Sequence, residues 1–196
     1  MTPTDPAAFV GKLLYFALLV AFVAIRRTAR RQAGGGAAVL PLRERLLSGH
    51  VALATLLGAV GTLSADPGGP LDLALPTALR GAGALIAVGG LLLLRRVHAA
   101  LGAHFSPVLE LKADHALVTT GPYARVRHPM YTAGLLFTLG HGLAGGALPA
   151  LWPLAAVSLL VLLRLPDEEA MLEARFGDAF RAYKARTGRL LPPLGL

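Results

Sequence analysis

The chain has 196 residues, of which 55% are apolar and only 15% charged, and its mean hydropathy is +0.60. A soluble domain of this size could not bury that much apolar surface in one core, which excludes disorder and most soluble enzymes. Cysteine is absent and the net charge is +8, so a disulfide scaffold, a thiolate metal site and a cysteine nucleophile are excluded.

Apolar runs near 20 residues match a ~30 Å hydrocarbon core. The first covers about residues 9–25, with Lys12 near its start, where it can snorkel. No Arg-rich region precedes it and no small-residue cleavage site follows, so it reads as a retained helix rather than a signal peptide. Residues 26–38 read as a basic, Gly-rich cytoplasmic linker. The second run covers about 46–63. The third covers about 73–94, with Arg80 as its one charge. From Pro129 to Leu163 there are 35 residues without Asp, Glu, Lys or Arg. One helix of that length would measure about 52 Å, too long for one bilayer. Its middle, residues 141–149, has turn composition. The expectation is a hairpin of two short helices, about 131–141 and 149–164, and so an all-α integral membrane protein with about five transmembrane helices.

Charge placement agrees. Segments 26–45, 95–128 and 164–196 hold 17 of the 19 basic residues, while the 64–72 loop holds Asp66 and Asp72 and no base. The positive-inside rule puts the N-terminus outside and the C-terminus inside. The positive charge therefore follows topology and lipid headgroups, and no nucleic-acid partner is expected. Sixteen Arg against three Lys, with much Ala, Gly and Leu, point to a GC-rich bacterial genome and so to the inner, cytoplasmic membrane. The polar chemistry then lies on the cytoplasmic side. Residues 1–94 are expected to form an N-terminal group of helices, and 95–196 a second region holding the hairpin, the polar loop and the C-terminal helix.

Residues 167–186 predict one amphipathic helix. Pro166 suits its first position, and Asp167, Glu168 and Glu169 suit its positive end. Leu172, Phe176, Phe180 and Tyr183 make one apolar stripe. Glu168 falls on that stripe and Glu169 points about 100° away. A buried acid needs a cation or a donor, and Arg164 is the nearby cation, although Pro166 between them must kink or break the helix. The same acids also suit simple capping.

Between the third and fourth runs, His104–Pro107 leads to Asp114-His115-Ala116-Leu117-Val118-Thr119-Thr120-Gly121-Pro122-Tyr123 and then to Arg125-Val126-Arg127-His128-Pro129-Met130-Tyr131. Leu117–Thr120 is β-like and Gly121-Pro122 is a turn. A loop rich in His, Arg and Tyr wedged between spans must line something polar. LVTTGPYARVRHPMY, the uncharged hairpin, Arg164-x-x-x-Glu168-Glu169 and the closing Arg189-Leu190-Leu191-Pro192 together resemble the isoprenylcysteine carboxyl methyltransferase family and its phospholipid methyltransferase relatives. The resemblance covers about residues 95–193. Pro166 departs from that family's pattern.

The resemblance implies an S-adenosylmethionine-dependent membrane enzyme. Its loop and C-terminal helix enclose the cofactor on the cytoplasmic side, and its lipid-like substrate enters from the bilayer. Carried over by motif, His115, Ala116, Leu117 and Val118 would line the cofactor pocket, and Tyr123, His128, Pro129, Met130 and Tyr131 would complete it. Glu168 would bind the cofactor, Arg164 the substrate, and Arg127 would support the reacting centre. No metal is implied. Methyl transfer from a sulfonium is mainly positioning and exclusion of water. A carboxylate acceptor is already ionised and needs a cation, which Arg164 or Arg127 supplies, whereas an amine would need a base. The Arg pair therefore favours carboxyl methylation of an isoprenylcysteine-type or similar amphiphile. The alternatives are an NADPH-dependent reductase related to sterol reductases, and a non-catalytic membrane protein of the same fold.

Overall fold

Apolar runs free of internal breakers wind into helices that extend past the runs themselves. The computed structural model describes residues 6–32, 41–102 and 117–193. Its helices are α1 Pro6–Gln32, α2 Leu42–Ser64, α3 Thr77–Leu101, α4 Pro129–Gly145, α5 Trp152–Phe176 and α6 Asp178–Arg186. Short 3₁₀ turns occupy Gly121–Ala124 and Leu148–Leu151. Among the described residues no strand forms. Two isolated bridges, Asp72 with Ala147 and Val126 with Gly188, take their place.

Helix ends follow local chemistry. α1 continues through Arg26–Arg31, half of the expected linker, because Arg is a good helix former and Arg30 and Arg31 suit the negative end. α3 begins at Thr77 rather than near 73, because Pro76 holds Leu75 out of the helical region. α5 runs straight through Pro166 to Phe176. The expected single helix over 167–186 is thus two pieces, broken at Gly177, whose φ of 49° and ψ of −122° suit only glycine. Arg43 from α2 covers the turn around Pro166: it donates to the Leu163 carbonyl at 2.9 Å and pairs with Asp167.

Four helical segments are long and apolar enough to cross a membrane: Pro6–Arg31, Leu42–Ser64, Thr77–Leu101 and Leu148–Phe176. At 17 residues, α4 is only about 25 Å long. It is not among the four, against the five spans expected, yet it forms the expected hairpin with α5. It starts beside the acids of α5, and its far end bonds to the 65–76 loop through Leu73 N–H to the Gly146 carbonyl (3.0 Å) and Leu148 N–H to the Leu71 carbonyl (2.8 Å). Arg80, buried, closes that end by donating to the Gly145 carbonyl and pairing with Asp72 at 3.2 Å. Lys12 also lies there. Its ammonium donates to the α2 carbonyl of Leu63 and to that of Ala65, at 3.1 and 2.6 Å.

α4 packs closely against α3. A Cβ on Gly140 would stand 2.3 Å from the Ala87 nitrogen, so only glycine permits this approach. Phe137 stacks on Phe22 of α1, with ring centres 4.6 Å apart, and His141 stacks on Tyr15 at 3.7 Å. α2 packs mainly on α5. The fold is thus a helical membrane bundle whose Arg-rich ends gather α4's start, α5's end, α6 and the tail.

Candidate functional site

The motif segment enters this end through a 3₁₀ turn at Gly121–Ala124, and Leu117–Thr119 form no strand. The chain after α6 then runs alongside residues 125–128. Gly188 N–H donates to the Arg125 carbonyl (3.0 Å), Arg127 N–H to Gly188 (2.8 Å) and His128 N–H to Arg189 (3.1 Å). The Thr132 hydroxyl donates to the Leu190 carbonyl at 2.6 Å. Tail and motif are therefore stitched together through the backbone, as a closed lid requires. Phe180 is fully buried beneath α6. Tyr183 donates its hydroxyl to the Tyr123 carbonyl at 2.7 Å. Burial pushes the Tyr183 phenol up to about 12 and the Tyr123 phenol higher still, so both stay neutral.

Two adjacent acids of α5 face this junction. Glu169, 6% exposed, is the hub. Its Oε1 lies 3.1 Å from Arg127 Nε and 3.2 Å from His128 Nε2, and its Oε2 2.7 Å from Arg189 Nη2. Two guanidinium groups and a buried imidazole thus spend both its oxygens. Glu168 differs. Its side chain is 28% exposed, its Oε2 accepts from the Tyr131 hydroxyl, and its Oε1 lies 3.6 Å from His128 Nδ1. Among the described residues, no Arg or Lys lies within ion-pair distance of Glu168.

The expected helix phase is therefore corrected. Glu169, not Glu168, is the deeper acid. The buried stripe on α5 is Val161, Leu165 and Glu169, and the turn at Gly177 gives Phe180 and Tyr183 a different axis. The expected pairing of Arg164 with Glu168 is also corrected. Arg164 Nη2 lies 3.2 Å from Oε2 of Glu44, at the start of α2, and both side chains are nearly buried. Glu44 was legible only as the one acid among the six Arg of segment 26–45.

Of the expected site residues, Tyr123, Arg127, His128, Tyr131 and Glu168 come together, and Pro129 starts α4 under them. Leu117 and Val118 lead into the turn. Met130 faces α1, its sulfur 3.8 Å from Arg26 Nη1. His115 and Ala116 lie outside the described residues. Arg127 is engaged on all sides, since its Nη1 also donates to the carbonyls of Lys184 and Thr187. It ties α6 and the tail to the motif. The residues that sequence reasoning missed, Glu169 as hub, Glu44, Arg43 and Thr132, all make contacts across long sequence separations.

The phospholipid methyltransferase family signature matches residues 79–179. A protein-S-isoprenylcysteine O-methyltransferase of Schizosaccharomyces pombe is 34% identical over 94 residues, which is 46% of this chain and 40% of that protein. The cobalt-zinc-cadmium resistance protein CzcN of Cupriavidus metallidurans is 35% identical over 86 residues, 43% of this chain and 39% of that protein. The match thus spans about two fifths of the length of these curated relatives. A solved structure of a eukaryotic intramembrane Ras methyltransferase, an isoprenylcysteine carboxyl methyltransferase, superposes with a TM-score of 0.74 at 20% identity. It covers 96% of this chain and 68% of its own, and the two share a fold.

Proposed function

The chain belongs to the phospholipid methyltransferase family, and from that membership we propose that it is an S-adenosylmethionine-dependent methyltransferase of the cytoplasmic membrane. Its acceptor is a lipid-like amphiphile entering from the bilayer, with a carboxylate of isoprenylcysteine type as the favoured head. The observation that carries this reading is the contrast between the two acids. Glu169 is neutralised by Arg127 and Arg189, whereas Glu168 keeps a partly open carboxylate with no guanidinium among the described residues within ion-pair distance, only the longer-range attraction of Arg164. A half-open carboxylate beside the junction of motif and tail suits a cationic ligand.

The cofactor, when bound, supplies a methyl group already activated on a sulfonium, which passes to the acceptor by in-line displacement as the carbon–sulfur bond breaks. The protein's share is positioning and exclusion of water. Glu168 meets the cofactor's cationic amine, with Tyr131 and His128 holding its carboxylate in place. Tyr123 and Pro129 shape the wall, and the backbone of Leu117 and Val118 leads into it. Arg127 supports the reacting centre from a distance by clamping the tail over it. Arg164, one turn before Glu168 on α5, offers the cation for the acceptor's head. An ionised carboxylate needs no base.

Purified protein incubated with tritiated S-adenosylmethionine and membrane lipid extract tests the reading. Tritium is expected in the lipid-soluble fraction, accompanied by a mass shift of one methylene. Tritium confined to the aqueous phase at every protein concentration contradicts it.

A further inference from the structure

The seam between α2 and α5 holds a charge pair that the proposed chemistry leaves unused. Glu44 lies in the first turn of α2 and is 6% exposed. Its Oε2 stands 3.2 Å from Arg164 Nη2. The geometry is poor: Glu44 Oε2 and Arg164 Nε are both buried with no hydrogen-bond partner. A well-made Arg–carboxylate pair uses two N–H groups side by side. Here one nitrogen is engaged by charge alone, and the adjacent Nε donor is unspent. A buried donor left unmade is costly, so this arrangement is held by attraction and not by fit. The pair is close to the site. Arg164 precedes Glu168 by one turn, and Tyr131 lies within electrostatic reach of Arg164, Glu44 and Glu168 alike.

We propose that Glu44 is a resident competitor for the acceptor's anionic head, a positioning residue that sets which acceptors bind. The proposal rests on the methyltransferase reading for the role of Arg164. Without an acceptor, Glu44 supplies the charge that keeps a buried guanidinium tolerable. An acceptor carboxylate that reaches Nε and Nη2 together replaces one poor contact by two good ones, and Glu44 gives way. Methylation removes the acceptor's charge. The neutral ester has nothing to set against Glu44, which returns to Arg164. Glu44 thus weakens binding of the anionic acid while leaving the neutral ester unaffected.

The test is calorimetric binding of S-farnesyl-N-acetylcysteine and of its methyl ester to the full chain in detergent, without cofactor. Glu44→Gln is expected to bind the acid about tenfold or more tightly than the wild type, with the ester unchanged. If Glu44→Gln does not fold, Glu44→Asp, which draws the carboxylate back by one methylene, is expected to tighten acid binding several-fold. Acid affinity equal to wild type in the variant that folds overturns the proposal, and so does no acid binding to any of the proteins. Because no methyl group is transferred in this measurement, failure of the tritium assay counts against the enzyme reading alone.

Discussion

Glu168 and Glu169 are chain neighbours with different partners, one without a guanidinium in ion-pair distance among the described residues and one held by two, and their variants should separate cleanly. Glu169→Gln halves a network that holds Arg127, His128 and Arg189. Leaving a buried guanidinium short of charge costs about 3 kcal/mol, so the midpoint of thermal unfolding in detergent is expected to fall by several degrees. Glu168→Gln should leave that midpoint within a degree. The reverse order would mean that the hub has been placed on the wrong acid. Arg164→Lys tests the acceptor's contact. Lysine keeps the charge opposite Glu44 but loses the planar fork. Turnover of a prenylcysteine acceptor is expected to drop more than about tenfold while cofactor affinity holds; wild-type turnover would reduce Arg164 to a marker of the membrane edge. At this scale the sequence showed which residue types gather, because LVTTGPYARVRHPMY and the Glu pair are contiguous. It did not show who pairs with whom, because Glu44 lies 120 residues from Arg164 and Arg189 lies 20 from Glu169.

Helix existence was read well from apolar length, and helix ends were not. Pro166 looked like a start because it cannot donate to the preceding turn, yet α5 continues through it with Arg43 bound across the same turn. Gly177 is the real break, and its only sequence signal is a glycine between two apolar clusters. The break lets α6 turn back and bury Phe180 and Tyr183 over the motif. Gly177→Ala forces a side chain into a conformation that glycine alone adopts readily, at a cost of about 1–3 kcal/mol. The expected result is a tail that opens more often, seen as faster tryptic cleavage after Arg181 and Lys184 with α1–α5 intact. Unchanged cleavage would show that α6 docks without that turn.

For the whole molecule, apolar runs made the helical membrane class legible, since that is a property of composition along the chain, and charge asymmetry gives the expected arrangement of ends. The 17-residue α4 was legible as half of a hairpin, and the tertiary bonds that anchor its far end, at Gly146 and Leu148, were not. A chain without cysteine allows single reporter thiols. A cysteine at Asp66 is expected to react with an impermeant maleimide from outside the cell, and one at Arg95 only from the cytoplasm. Labelling of position 66 from the cytoplasmic side alone would invert the topology and move the site to the other face.

The central claim is that the cluster of Glu168, His128 and Tyr131 holds S-adenosylmethionine, and equilibrium dialysis of the tritiated cofactor against the detergent-purified chain tests it most directly. The wild type is expected to bind saturably, and Glu168→Gln to bind more than about tenfold more weakly, in line with the loss of about 2–5 kcal/mol when a desolvated charge partner is removed. Equal affinity of the two proteins, or no saturable binding to the wild type at millimolar cofactor, would contradict it.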